Sequence, residues 1–267
     1  MTPAPAPFVR LIEALEPYLD QIVLIGGWAH RLYRGHPAAQ QLDYAPLMTL
    51  DTDIAMPPVV AMRGQDIRTR LLARGFEEEF LGEDRPPATH YRLGDEVSGF
   101  YAEFLTPLVG ADRGRAGNGN ATTEISGVTT QRLRYLEILL RHAWAIDFAS
   151  GGVEARIQIA NPVSFIAQKV LIAARRNPED RAKDILYMHD TLEVFGSRLP
   201  ELRELWRERV RLELHPNQAG IVSNAAEVLF GNLSDDVRRA ARIAGRRASA
   251  EVIRQACRYG FEEVFGT

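Results

Sequence analysis

The segment from Thr49 to Met56 has the apolar character of a buried strand but carries two aspartates, Asp51 and Asp53. Side chains alternate across a strand, so both carboxylates would lie on one face. Aspartate is depleted in strands, and two like charges at this spacing repel each other. A divalent cation between the carboxylates would remove that repulsion, and such oxygen ligands suit Mg²⁺. The alternative interpretation is an exposed acidic strand face.

A third carboxylate, Glu103, is the only charge in the apolar segment 100–105. Alternation puts it on the same strand face as Tyr101 and Leu105. A buried carboxylate is costly unless it is paired or bound to a metal. If this strand lies beside the strand of Asp51, three carboxylates converge. Such a group could hold two cations, roughly 3.5–4 Å apart, for phosphoryl transfer.

Two glycines, Gly26 and Gly27, directly follow the apolar run 22–25, and a helix is predicted beyond them. Glycines at this point let backbone N–H groups approach a phosphate, and a helix N-terminus adds partial positive charge. The alternative is an ordinary strand-to-helix turn. The segment lacks the Gly-Lys-Ser/Thr of a Walker P-loop and the Gly-x-Gly-x-x-Gly of a dinucleotide-binding fingerprint.

The distribution of strand and helix patterns predicts an α+β fold. Strand and helix patterns are mixed up to about residue 160, and only helical patterns follow. We therefore expect a small mixed sheet flanked by helices over 1–160, followed by a helical domain over 161–267. Within the first domain we predict a helix over 60–74 that ends at Gly75.

The glycine-rich segment 110–123 is expected to be flexible, because it carries four glycines and no large apolar residue. Arg113 and Arg115 in this segment could close over a phosphate. On a predicted strand, His90 and Arg92 share a face, and Arg92 could contact a phosphate or form a cross-strand pair. None of the six histidines pairs with another at the spacing of zinc ligands.

Composition excludes several classes of protein. Hydrophobic residues make up 46% and charged residues 25% of the chain, which is typical of a globular protein. A net charge of −3 argues against a wholly basic surface for nucleic acid. The single cysteine, Cys257, excludes an intramolecular disulfide and fits a reducing compartment. Residues 1–7 lack a signal-peptide pattern, and no apolar run is long enough to span a membrane. We expect a cytoplasmic protein without a membrane partner.

The pattern of glycines and carboxylates resembles the signature of polymerase-beta-type nucleotidyltransferases. The match consists of a strand ending in Gly26-Gly27, a helix, and a second strand with Asp51 and Asp53 between hydrophobic residues. The resemblance implies that the glycine turn holds a triphosphate and that the aspartates bind two Mg²⁺ ions, for which Mn²⁺ can substitute. A third carboxylate, for which Glu103 is the candidate, would assist the attacking hydroxyl. The gap between the glycines and the aspartates is longer than in compact members.

A second match follows Asn161-Pro162, which predicts a helix start. On this helix Lys169 lies on an apolar stripe, where a lysine either snorkels or faces an anion. The pattern formed by Lys169, Arg176 and Asp184 is similar to that of the uncharacterised bacterial nucleotidyltransferases and the AbiEii-type toxin branch of this superfamily. The resemblance implies that the lysine contacts the triphosphate and that the aspartate on the next helix supports the site. This chain has Tyr187 where those proteins often carry a further aspartate.

We therefore expect transfer of a nucleoside monophosphate from a nucleoside triphosphate to an acceptor hydroxyl, with release of pyrophosphate. The acceptor could be RNA, a protein side chain or a small molecule. Arginines at helical spacing form either a solvated face or an RNA contact: Arg238, Arg239, Arg242, Arg246 and Arg247. The alternative function is a non-catalytic nucleotide-binding or interaction protein, paired with a regulatory partner in a toxin–antitoxin system.

Overall fold

The chain divides into two units. The computed structural model describes residues 4–94, 99–108, 121–243 and 248–266. Contacts between Cα atoms assign Met1–Ala29 with Met48–Ala160 to the first unit, and His30–Leu47 with Asn161–Thr267 to the second. The predicted domain limits, 1–160 and 161–267, stay a prediction, and the segment 30–47 lies with the second unit.

The elements up to residue 160 include every strand in the described residues. In chain order they are α1 (Ala6–Leu15), β1 (Val23–Leu24), α2 (Gly26–Leu32), β2 (Asp51–Ala55), α3 (Ile67–Ala73), β3 (Glu77–Leu81), β4 (Ala88–Leu93), β5 (Phe100–Pro107), β6 (Thr122–Ile125), β7 (Val128–Leu133), α4 (Glu137–Leu140), β8 (Trp144–Ser150) and β9 (Val153–Ile159). Short 3₁₀ turns follow α1 and α2, at Glu16–Tyr18 and Tyr33–Gly35.

The strands form one mixed sheet. Its order is β3-β4-β5-β2-β1-β9-β8, and the β6–β7 hairpin joins it through β7, which pairs with β5. The pairs β2–β5, β1–β9 and β5–β7 are parallel, and the remaining pairs are antiparallel. The structure is therefore α+β, with a mixed sheet, flanking helices and a helical C-terminal region, as the sequence predicts.

An aromatic cluster fixes which face of the sheet lies in the core. Phe8 of α1 stacks on Trp28 with the ring centroids 3.6 Å apart, and both rings meet Phe100 edge-on. Along β5, buried Phe100 alternates with the half-buried Tyr101 and Glu103. Because neighbouring strand residues point to opposite faces, the aromatic core and the polar residues of β5 occupy opposite faces.

Two predictions for the first unit are wrong in part. The helix predicted over 60–74 spans only Ile67–Ala73, because the Asp66 side chain accepts a hydrogen bond from the Thr69 N–H and caps the helix there. Most of the predicted flexible segment lies outside the described residues, but its last two residues, Thr122 and Thr123, belong to strand β6. The β6–β7 hairpin was not predicted.

The second unit is helical from residue 161 onward. Its helices are α5 (Pro162–Ile172), α6 (Pro178–Val194), α7 (Leu199–Leu205), α8 (Arg211–Glu213), α9 (Pro216–Ser223), α10 (Ala225–Phe230), α11 (Asp235–Ala241) and α12 (Ala250–Phe265). A π-helical turn, Trp206–Val210, links α7 to α8. None of the described helices combines the length and the apolar character that a membrane span requires.

Asparagine caps begin the two helices that carry the predicted residues Lys169 and Asp184. The Asn161 side chain accepts a hydrogen bond from the Ser164 N–H at 2.8 Å, and a proline follows the cap directly. Asn177 does the same for α6, accepting from the Asp180 N–H at 2.8 Å. The first cap is buried and the second is exposed.

Removing the two caps should have unequal effects on stability. We expect Asn161→Ala to lower the free energy of unfolding by about 1–2 kcal/mol, because it also leaves the buried Ser164 N–H without its acceptor. Asn177→Ala should cost about 0.5–1 kcal/mol, since water can replace an exposed cap. Urea unfolding of both variants measures the difference, and equal losses would contradict the assignment of a buried cap.

Candidate active site

Three adjacent strands bring two of the three predicted carboxylates, Asp53 and Glu103, into one row. In the parallel ladder of β2 and β5, Asp53 lies directly opposite Glu103. In the antiparallel ladder of β4 and β5, Glu103 lies opposite His90. The row His90–Glu103–Asp53 therefore crosses the sheet on the face opposite the aromatic core. The strand adjacency that the three-carboxylate prediction requires is present.

A second row lies two residues away on the same face. It joins Arg92, Tyr101 and Asp51, which are partners in the same two ladders. Burial first, and then the negative charges nearby, raise the pKa of Tyr101 to about 12; those charges belong to Asp51, Glu103, Asp53 and Glu79. The carboxylates themselves give this face a negative potential, which attracts cations.

Glu103 is held by neighbours on both sides. His90 Nε2 lies 3.5 Å from Glu103 Oε2, and the Gln131 amide donates to the same oxygen at 3.2 Å. Burial acts to raise the pKa of Glu103. Hydrogen bonds with His90, Asp53 and Gln131 outweigh burial, and the pKa lies below its usual value. The His90 ring also stacks on Tyr101, with centroids 4.3 Å apart, which fixes its orientation.

Gly26 lies directly against the Asp53 carboxylate. A Cβ at Gly26 would lie 1.8 Å from Asp53 Oδ2, and the φ of Gly26 is +59°. The Ile25 N–H donates to the Asp53 carbonyl at 3.0 Å, which holds the two segments together. Only glycine meets both requirements, because any side chain would collide with the carboxylate. This contact explains the first glycine of the pair without reference to a phosphate.

The carboxylates suit a hard divalent cation. Asp53 and Glu103 are partners in the ladder of β2 and β5, and two carboxylates directly opposite each other repel unless a proton or a cation lies between them. Their oxygens are the ligands that Mg²⁺ prefers. In the described residues, the one group of three His, Cys, Asp or Glu ligand atoms within 4.8 Å of one another lies in the second unit. The carboxylates of Asp51, Asp53 and Glu103 therefore do not all lie that close together in this structure.

Arg92 forms a cross-strand pair. Its guanidinium donates to Glu79 Oε1 at 3.1 Å, and the other oxygen of Glu79 lies 3.9 Å from His90 Nδ1. Of the two alternatives for Arg92, the structure contains the cross-strand pair. A phosphate contact by Arg92 stays a prediction. Arg113 and Arg115 lie outside the described residues.

In the second unit, Lys169 and Asp184 form a buried ion pair. Lys169 Nζ lies 2.8 Å from Asp184 Oδ1, and Arg176 Nε donates to Asp184 Oδ2 at 3.1 Å. The Lys169 ammonium also lies over the rings of Phe165 and Tyr187, at 5.5 and 5.4 Å from their centroids. Arg176 Nη1 also lies 3.6 Å from Asp180 Oδ2, so two cations face two carboxylates, and an anion at Lys169 would compete with Asp184 for the ammonium.

Sequence reasoning missed one neighbour of Glu103, the amide of Gln131. Gln131 lies on β7, in the hairpin that was not predicted. The alternation of Val128, Thr130 and the more exposed residues between them carried a period-2 signal, but it was weak because most of the strand is polar. The contact between His90 and Glu103 depends on strand order, which a pattern within one strand does not specify.

Comparison with known proteins identifies the class. A family model described as "Nucleotidyltransferase" matches residues 6–211. This chain belongs to that nucleotidyltransferase family, because the match covers far more than half of its length. The matched range includes both carboxylate rows and the Lys169–Asp184 pair.

Two other comparisons gave a distant structural likeness and no curated relative. A solved structure, an antigenic nucleotidyltransferase-like protein from Paracoccidioides brasiliensis, is similar at 14% identity and a TM-score of 0.34, covering 86% of this chain and 100% of that one. The search of curated proteins found no match.

Gly26→Ala should destabilise the protein more than Gly64→Ala. Both glycines have positive φ, +59° and +75°, but a Cβ at Gly64 would meet nothing within 4 Å. Both variants carry backbone strain of about 1 kcal/mol, and only Gly26→Ala adds the collision with Asp53. Urea unfolding should give at least about 1 kcal/mol of additional loss for Gly26→Ala. Equal losses would mean that the turn can move away from Asp53.

Proposed function

We propose that this protein transfers a nucleoside monophosphate from a nucleoside triphosphate to an acceptor hydroxyl and releases pyrophosphate, using two Mg²⁺ ions. One observation carries the proposal: Asp53 and Glu103 lie opposite each other in adjacent parallel strands, with Gly26 against the Asp53 carboxylate. Family membership supports nucleotide transfer in general, and the carboxylate rows support the dependence on metal.

The side chains of the two rows have separate tasks in this mechanism. Asp51 and Asp53 would hold the metal ions on a rigid strand, and Mn²⁺ would accept the same oxygen ligands. These carboxylates would hold Mg²⁺, which would supply positive charge to neutralise the phosphates during transfer. Glu103 would bind the catalytic metal and accept the proton of the acceptor hydroxyl. His90 and Gln131 would hold the Glu103 carboxylate in orientation.

The triphosphate would be bound by backbone and basic groups. The Gly26-Gly27 turn carries no side chain on the Asp53 side, so its backbone can approach a phosphate. Lys169 would contact the β- and γ-phosphates, and Asp184 would hold the lysine through their 2.8 Å ion pair. Arg92 would add a weaker contact. Catalysis would consist of positioning and charge neutralisation, as in phosphoryl transfer generally.

The acceptor and the biological setting belong to the same proposal. RNA, a protein side chain and a small hydroxylated molecule are the three acceptor classes. The resemblance at Lys169 and Asp184 supports a place in the AbiEii-type branch, and with it a regulatory antitoxin as partner. We place the reaction in the cytoplasm, where nucleoside triphosphates and Mg²⁺ are available.

Asp53→Asn should abolish transfer and leave the fold intact. The amide keeps the shape of the side chain but removes the negative charge that a metal ion needs, so we expect at least about a 10³-fold loss of rate. Asp147→Asn is the matched control, because Asp147 also lies on a strand and its side chain is 88% exposed. Each α-labelled nucleoside triphosphate is incubated with Mg²⁺, total RNA and total protein.

The distribution of label separates the outcomes of this experiment. Label in one pool, retained in Asp147→Asn and absent in Asp53→Asn, establishes the reaction and identifies the nucleotide and the acceptor class. Mg²⁺-dependent nucleotide binding without label in either pool, and without transfer to small hydroxylated molecules, favours the non-catalytic alternative. An unchanged rate in Asp53→Asn would refute the assignment of the metal ligands.

A double-mutant cycle tests whether Lys169 binds nucleotide or only neutralises Asp184. We expect Lys169→Met to weaken nucleotide binding at least about tenfold and to lower stability, because Asp184 stays buried with Arg176 alone. Adding Asp184→Asn should restore much of the stability without restoring nucleotide affinity. Calorimetric titration with nucleotide and urea unfolding measure the two effects. Recovery of both together would assign Lys169 a purely structural role.

A further inference from the structure

A cluster of metal-ligating side chains lies on helix α6, in the second unit. His189, Asp190 and Glu193 each offer a ligand atom, and these atoms lie within 4.8 Å of one another. His189 and Glu193 are four residues apart, so both project from one side of the helix. His189 and Asp190 are buried, whereas the Glu193 side chain is 35% exposed and gives the cluster a route to solvent.

His189 presents a buried nitrogen to a carboxylate without a hydrogen bond. Its Nδ1 contacts Asp190 Oδ1 at 3.1 Å. Its Nε2 lies 3.7 Å from Glu193 Oε1 and has no hydrogen-bond partner among the described residues. If Nδ1 donates its hydrogen to Asp190, the Nε2 lone pair faces an oxygen that is also an acceptor. A cation between the nitrogen and the carboxylate would satisfy both groups.

Neighbouring side chains contact the cluster and fix the orientation of its carboxylates. The Tyr44 hydroxyl contacts Asp190 Oδ1 at 3.1 Å and also donates to Glu193 Oε2. His30 Nε2 lies 3.7 Å from the other oxygen of Asp190, whose side chain is fully buried. An imidazole oriented by a carboxylate through one nitrogen, with the other nitrogen directed at a ligand position, is the usual arrangement in zinc proteins.

We propose that His189, Asp190 and Glu193 form a binding site for Zn²⁺ that is separate from the Mg²⁺ site. A nitrogen ligand with carboxylates suits Zn²⁺, whereas Mg²⁺ prefers oxygen ligands and retains its water. His189 Nε2 and Glu193 bind the ion, and Asp190 either binds it or orients the imidazole. Through Tyr44, the site ties the segment 30–47 to α6, so its role is to stabilise the second unit.

Titration with zinc chloride in the Asp53→Asn background tests the proposal, because this background removes a ligand of the other candidate metal site. The 267-residue chain is first stripped with a chelator, and binding is followed by calorimetry with excess Mg²⁺ present. We expect one equivalent of Zn²⁺ to bind and to raise the melting temperature. Co²⁺ should give visible absorption bands of a site with nitrogen and oxygen ligands.

Two further substitutions, each added to that background, locate the site. Glu193→Gln removes a ligand at the partly exposed edge and should weaken Zn²⁺ binding by at least about 100-fold. Tyr44→Phe keeps the ring in place and should weaken it about tenfold, as loss of an orienting hydrogen bond does. Both variants should retain helical circular dichroism. Absence of Zn²⁺ binding in the background protein, or affinity unchanged by Glu193→Gln, would overturn the proposal.

Discussion

The electrostatic repulsion between Asp53 and Glu103 is the constraint on which the first unit depends. Like charges directly opposite each other on neighbouring strands destabilise a sheet. The ladder of β2 and β5 nevertheless holds these residues opposite each other, and Gly26 closes over one of the carboxylates. The hydrophobic core on the other sheet face must therefore outweigh this repulsion. The arrangement becomes favourable when a cation binds.

The register of strand β5 determines which face of the sheet carries the Glu103 carboxylate. A slip of one residue in β5 would turn Glu103 into the core and Phe100 out of it, so the aromatic cluster fixes the position of the carboxylate. The stacking of Phe8 on Trp28 connects α1 to the residues just after Gly26. The same packing that buries the rings thus sets the contact between Gly26 and Asp53, and core stability and site geometry arise from one set of contacts.

The sequence predicted what local patterns encode and missed what depends on distant pairing. The shared face of Asp51 and Asp53 follows from the period of a strand, and Glu103 stood out as a lone charge among apolar residues. The order of the strands, which puts β5 beside β2, is a non-local property that no single segment carries. Gln131 was missed because its strand is short and polar. The ion pair of Lys169 with Asp184 required knowledge of how α5 and α6 pack.

The buried carboxylate Asp184 of the second unit is neutralised by basic side chains, whereas the sheet face of the first unit carries an excess of carboxylates. This difference indicates where chemistry occurs. In the second unit, Lys169 and Arg176 share Asp184, so a basic group meets each of its oxygens within the fold. On the sheet face of the first unit, strand β3 extends the two rows, because Glu77 pairs with Arg92 and Glu79 pairs with His90. Five carboxylates then lie beside one arginine and one histidine: Glu77, Glu79, Glu103, Asp51 and Asp53 beside Arg92 and His90. A fold selected for stability alone would balance such charges. The excess of negative charge there is explained if a cation completes the site.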